Sequence, residues 1–128
     1  MTISRYIGAA AASLIIAGAA ISPLLAAPPA ANGETLFRQR CQVCHSVDVT
    51  KPAGVGPNLR GVVGRKAAAV TSFNYSTAMK QSNITWTQAN LDRYLAAPTK
   101  IVPGTRMVIA VSDATQRAAI IKYLSQTK

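Results

Sequence analysis

Cys41-Gln-Val-Cys44-His45 constrains this chain more than any other stretch. Side chains three apart on a helical turn share a face, so two sulfurs there can reach two vinyl groups of one porphyrin. The next residue, His45, projects from the same turn toward the ring centre, where its imidazole can bind iron as the proximal ligand. The pattern Cys-x-x-Cys-His is accordingly the attachment signature of a c-type haem. These are also the chain's two cysteines and its single histidine.

Other chemistries for the pentapeptide fit less well. A structural zinc site wants four Cys or His ligands, and the missing ones would have to come from only four acidic residues. A thioredoxin-like dithiol would lie near a βαβ pattern, and none is visible. A plain disulfide across two intervening residues would be strained.

The chain has 128 residues, room for one small domain. Its first part reads as an export signal. Arg5 supplies a positive start, no charge follows from Tyr6 to Gly33, and Ile7 to Ala20 is rich in Ala, Ile and Leu. Residues 1–27 are therefore the expected signal peptide, with cleavage somewhere in 26–31 beside Ala26, Ala27, Ala30 or Ala31. A retained membrane anchor is the second reading, because the apolar run approaches the length of a bilayer span. Pro23, Pro28 and Pro29 disfavour a continuous helix through its end. A domain over 32–128 remains, small for a self-sufficient core, and a covalently held haem would give it an apolar plate to pack around. The chain holds 14 Lys and Arg against four Asp and Glu, so losing Arg5 with the leader leaves +9. Such a surface steers toward acidic partners. Nucleic acid is the other usual partner of a basic chain, but an exported haem protein would not meet it.

Along the expected domain, Asn32-Gly-Glu34 reads as a helix start with Asn32 as N-cap, and Leu36, Phe37, Arg40 and Cys41 continue at helical spacing into the haem motif. Residues 46–69 carry Pro52, Gly54, Gly56, Pro57, Gly61 and Gly64 and read as a loop able to wrap a haem. Its Gly-Pro-Asn-Leu at 56–59 would bring backbone to the imidazole, where a carbonyl could accept from Nδ1. Phe73, Tyr75, Ile84 and Trp86 flank a polar segment, 76–83, that reads as mobile. Thr85 with Gln88 fits a capping box for a helix carrying Trp86, Leu91, Tyr94 and Leu95 and ended by Pro98. After the Pro103-Gly104 turn, Met107 to Val111 would be a short strand on propensity alone. Asp113 with Gln116 caps a last helix running to about Leu124, with Ala114, Ala118, Ile121 and Leu124 near one face and Ile120 and Tyr123 beside it. The reading is three helices, long loops and little strand.

With no second histidine, the sixth iron position falls to Met, Lys or nothing. Met107 follows a rigid Pro-Gly turn, whereas Met79 has nothing evident to position it, so Met107 is the expected ligand. A thioether favours ferrous iron. With both axial positions filled, electrons would pass through the haem edge.

The ordered combination Cys-Gln-Val-Cys-His, Gly-Pro-Asn-Leu-Arg-Gly, Gly64-Arg65-Lys66, Phe73-Asn-Tyr75, Ile84-Thr-Trp86, Tyr94-Leu95, Pro98 and Pro-Gly-Thr-Arg-Met resembles class I cytochromes c, close to the mitochondrial and bacterial c2-type carriers. The likeness runs from Gly33 to Leu124. It implies an all-α cytochrome c fold, three main helices and long loops around one haem c. It implies thioethers at Cys41 and Cys44, His45 and Met107 on iron, and the Pro57 carbonyl on the imidazole. Arg65, Tyr75 and Trp86 would lie near the propionates, Tyr94 would bond the Met107 sulfur, and Thr105 would sit in the distal loop. Gly33 and Phe37 would cross Ile120 and Tyr123. Two departures are Met79, where these carriers usually have a buried asparagine, and Ile109, where an aromatic is common. The implied function is a monomeric periplasmic electron carrier, not an enzyme. Its partners would be acidic surfaces of a quinol–cytochrome c oxidoreductase, terminal oxidase, reaction centre or periplasmic dehydrogenase, met through Arg40, Lys51, Lys100 and Arg106. A haem peroxidase, a gas-binding sensor and a haem subunit of a dehydrogenase are the alternatives.

Overall fold

In a computed structural model, residues 31–128 are described. The expected signal or anchor at 1–27 lies outside them. Five helices follow in order: α1 (Gly33–Arg40), α2 (Thr77–Gln81), α3 (Gln88–Ala96), α4 (Pro98–Ile101) and α5 (Ala114–Gln126). The three expected helices are α1, α3 and α5. Among the described residues, extended pairing is limited to one isolated antiparallel bridge between Lys66 and Thr85.

The local chemistry sets the boundaries. Asn32 caps α1 by accepting from Thr35 N–H at 3.1 Å, and Asp113 caps α5 by accepting from Gln116 N–H at 2.8 Å. The start of α3 differs from expectation. Thr87, not Thr85, is the N-cap, accepting from Asn90 N–H. The reason lies upstream: Thr85 is bridged to Lys66, and Trp86 N–H donates to Arg65 O at 2.8 Å. Those bonds keep 85–86 extended, so the helix begins two residues later and Trp86 precedes it. Pro98 stops α3 and then serves as first residue of α4, where its missing N–H costs nothing.

Two further expectations are corrected. Segment 76–83 is not a loose loop. Ser76 caps α2 by accepting from Met79 N–H, and the turn buries Met79 in the core. Met107 to Val111 is not a strand. Val108 and Ile109 are exposed, and no neighbouring backbone pairs with them among the described residues.

Helices α1 and α5 cross at Gly33. A Cβ there would overlap the Ala119 carbonyl and lie 2.9 Å from Tyr123 Cβ, so glycine is what permits the approach. Phe37 meets Tyr123 with ring centroids 5.5 Å apart, and Ile120 has no exposed surface at all. The buried face of α5 is Ile120, Ile121 and Leu124; Ala114 and Ala118 face solvent instead. Leu91, Tyr94 and Leu95 of α3 complete the seam. Its loops carry the site.

Candidate haem-binding site

Helix α1 delivers the motif through turns rather than within the helix itself. Its C-cap is Cys41, whose N–H still donates to Phe37 O at 2.8 Å. His45 N–H donates to Cys41 O at 2.9 Å, so one more helix-like turn holds the two thiols and the imidazole together. Both cysteines are free and partly exposed. Burial pushes the Cys41 thiol up to about 11, with Arg40 opposing and Cys44 adding to the rise.

A strap from Gly54 to Leu59 lies against this turn. Gly56 N–H donates to Cys44 O at 2.8 Å, and Leu59 N–H donates to Ser46 O at 2.7 Å. A Cβ on Gly56 would overlap the His45 ring and come 2.6 Å from Nδ1, so only glycine leaves room for the imidazole. Pro57 O lies 2.8 Å from His45 Nδ1. A carbonyl can only accept, which places the proton on Nδ1 and leaves Nε2 with a free lone pair. Burial lowers the His45 pKa more than this bond raises it, so the ring is neutral near pH 7.

A second group forms around Met107. Tyr94 OH and Thr105 Oγ1 are 2.8 Å apart, and Thr105 Oγ1 accepts from Met107 N–H at 3.3 Å. The Tyr94 hydroxyl thus meets Thr105 rather than the Met107 sulfur. Burial raises the Tyr94 pKa, with the Thr105 bond pulling the other way, so the phenol keeps its proton. Trp86 packs on Tyr94 with centroids 4.9 Å apart.

The remaining expected residues, Arg65 and Tyr75, have partners of their own. Arg65 donates to Asn58 O at 2.9 Å and Arg60 O at 2.8 Å, tying its guanidinium to the strap. Tyr75 meets Phe73 edge-on at 4.8 Å. Arg106 stacks over Phe73 at 5.9 Å and donates to Asn74 O, which joins the Met107 loop to the 73–75 loop. Sequence reasoning took Arg106 as a free docking charge and passed over this clasp. It also passed over Arg117, whose place three residues before Ile120 on the buried stripe of α5 was the available signal.

The donor set fits a c-type haem: two free thiols on one turn, and a neutral imidazole with Nε2 unengaged. Among the described residues, no three His, Cys, Asp or Glu side chains come together as a zinc site would need.

Residues 30–128 match the family model for cytochrome c. Cytochrome c2 of Rhodomicrobium vannielii is 46% identical over 95 residues, covering 73% of this chain and 75% of that protein. Cytochrome c2 of Blastochloris viridis is 40% identical over 114 residues, covering 88% of each. The solved structure of cytochrome cH from Methylobacterium extorquens is similar at a TM-score of 0.67 and 45% identity, covering 74% of this chain and 95% of that one. The chain belongs to the cytochrome c family, whose haem c is covalently held, and it is a one-electron carrier rather than an enzyme.

Proposed function

We propose that His45 and Met107 are the axial ligands of that haem, with Cys41 and Cys44 as its thioether attachments, and that the chain shuttles electrons in the periplasm. The observation that carries this is the Pro57 bond to Nδ1, because it presents Nε2 of a neutral imidazole one residue beyond the second thiol. A bound haem c supplies a ferric–ferrous couple whose potential the axial pair sets. The chain's residues do the rest. Pro57 fixes the imidazole's tautomer and orientation and raises its basicity. Thr105 and Tyr94 hold the Met107 backbone from α3. Arg65, Tyr75 and Trp86 would face the propionates.

Support for the periplasm is the leader-like composition of residues 1–27, removed to leave a domain over 32–128. No helix among the described residues is long and apolar enough to cross a membrane. Acidic redox surfaces are the fitting partners for the basic exterior. The relatives give no support to the peroxidase, sensor or dehydrogenase-subunit alternatives.

An oxidised spectrum extended to the near infrared tests the ligands. We expect a weak ferric band at the red end, lost on reduction, absent in Met107→Ala and kept in Met79→Leu. A wild-type protein with high-spin features and no such band would refute the His45/Met107 pair.

A further inference from the structure

We propose that Arg117 is a positioning residue for Met107, anchoring the far end of the segment that offers the thioether; this rests on the ligand pair proposed above. Residues 107–112 run from the Gly104 turn to the N-cap of α5. At the near end the hold on Met107 itself is slight: its N–H reaches Thr105 Oγ1 at 3.3 Å. Val108, Ile109 and Ala110 are exposed, and their amides make no hydrogen bond among the described residues. Between the Arg106 clasp at its near end and the corner where it ends, the segment is unsupported.

That corner is built on one guanidinium. Arg117 Nη1 donates to Val111 O at 3.1 Å and to Ser112 O at 2.8 Å, while Nε donates to Asp92 Oδ1 of α3 at 2.7 Å. Val111 N–H closes the same corner by donating to Leu95 O of α3 at 2.8 Å. The Arg117 side chain is 12% exposed and that of Asp92 45%. Val111 is buried and Ser112 exposed, so water can stand in for Asp92 and at Ser112 O more readily than at Val111 O, and the bond to Val111 O carries most of the anchoring. A rigid, planar fork can serve three acceptors at once; an ammonium cannot hold them in the same plane. Without the fork, the far end keeps only the Val111 bond to Leu95 O, the exposed stretch gains freedom, and the Met107 thioether would leave a bound haem iron more often.

The test is competition by imidazole in the ferric holoprotein, read from the red-end band. Arg117→Met keeps the apolar stem and removes the fork. It should bind imidazole about tenfold more tightly, equivalent to about 1.4 kcal/mol. Arg117→Lys should fall between, Asp92→Asn within about twofold of wild type. Ile121→Val, buried on the same helix, should lower the unfolding midpoint and leave imidazole affinity unchanged. Faster exchange of the Val111 amide in Arg117→Lys gives a second readout if Arg117→Met does not assemble. Unchanged imidazole affinity in the Arg117 variants, or a change matched by Ile121→Val, overturns the inference. Absence of the band from the wild type would instead overturn the ligand pair.

Discussion

Asn83 shows how much a single backbone angle can decide. It stands just past α2 at φ +53, in the left-handed region, and is exposed. Helices often end through such a residue, usually glycine and sometimes asparagine. Residues with a Cβ pay roughly 1–2 kcal/mol there, and asparagine less than most. Asn83→Ala should therefore lose about 1 kcal/mol in a denaturant titration, while Asn83→Gly should match or exceed the wild type. Equal stability for all three would mean the angle does not matter. The same residue explains a misreading. Segment 76–83 looked mobile because it is polar, yet Ser76 and Asn83 are start and stop signals for one turn of helix. A five-residue helix shows no periodicity, so only its caps could have revealed it. Thr85 failed in the opposite way: its capping pattern was sound, but a bridge to Lys66 from a distant loop overrode it. Cys41, Cys44 and His45 were readable because the spacing of the motif puts them on one turn, whereas Met107 was singled out over Met79 by the Pro103-Gly104 turn before it. The clasp of Arg106 and the fork of Arg117 were not, since both depend on carbonyls from other segments.

At the scale of elements, the α1–α5 crossing is the contact that orients the haem turn. Helix α1 has only eight residues and cannot hold itself together in isolation. Its order comes from packing against α5, and that packing requires Gly33. In an ordinary helix position, glycine to alanine gains roughly 0.5–1 kcal/mol. Here the sign should reverse, because the added Cβ meets backbone of the partner helix rather than a flexible side chain. Gly33→Ala should cost roughly 1–3 kcal/mol, as overpacking does, and lower the melting temperature of the holoprotein. A gain in stability would show that the helices can separate freely, and the crossing would lose its role as a scaffold. Phe37 and Tyr123 follow the same crossing, so the inward face of α1 was legible from sequence. The face of α5 was legible only in part, since alanine at 114 and 118 signals neither inside nor outside clearly.

Across the whole molecule, charge is lopsided because 14 Lys and Arg face only four Asp and Glu, and every acidic side chain already has a partner. Glu34 pairs with Arg38, Asp92 with Arg117, Asp48 accepts from Thr50, and Asp113 caps α5. Most lysines and arginines are left to the solvent, where they create a long-range positive field. Steering and structure can then be separated by salt. Lys100 lies exposed on α4 and should act by charge alone. Lys100→Glu should slow electron transfer to an acidic partner by roughly three- to tenfold at low salt. That loss should vanish near 1 M salt, where the screening length is about 3 Å. Arg106→Glu should behave differently, because Arg106 also stacks on Phe73 and donates to Asn74 O beside the Met107 loop. Part of its defect should persist at high salt, together with a weakened red-end ferric band. Stopped-flow rates across a salt series check both variants. If Lys100→Glu is unaffected at low salt, Lys100 lies outside the docking surface. If Arg106→Glu recovers fully at high salt, the clasp contributes nothing to the loop and Arg106 is a steering charge after all.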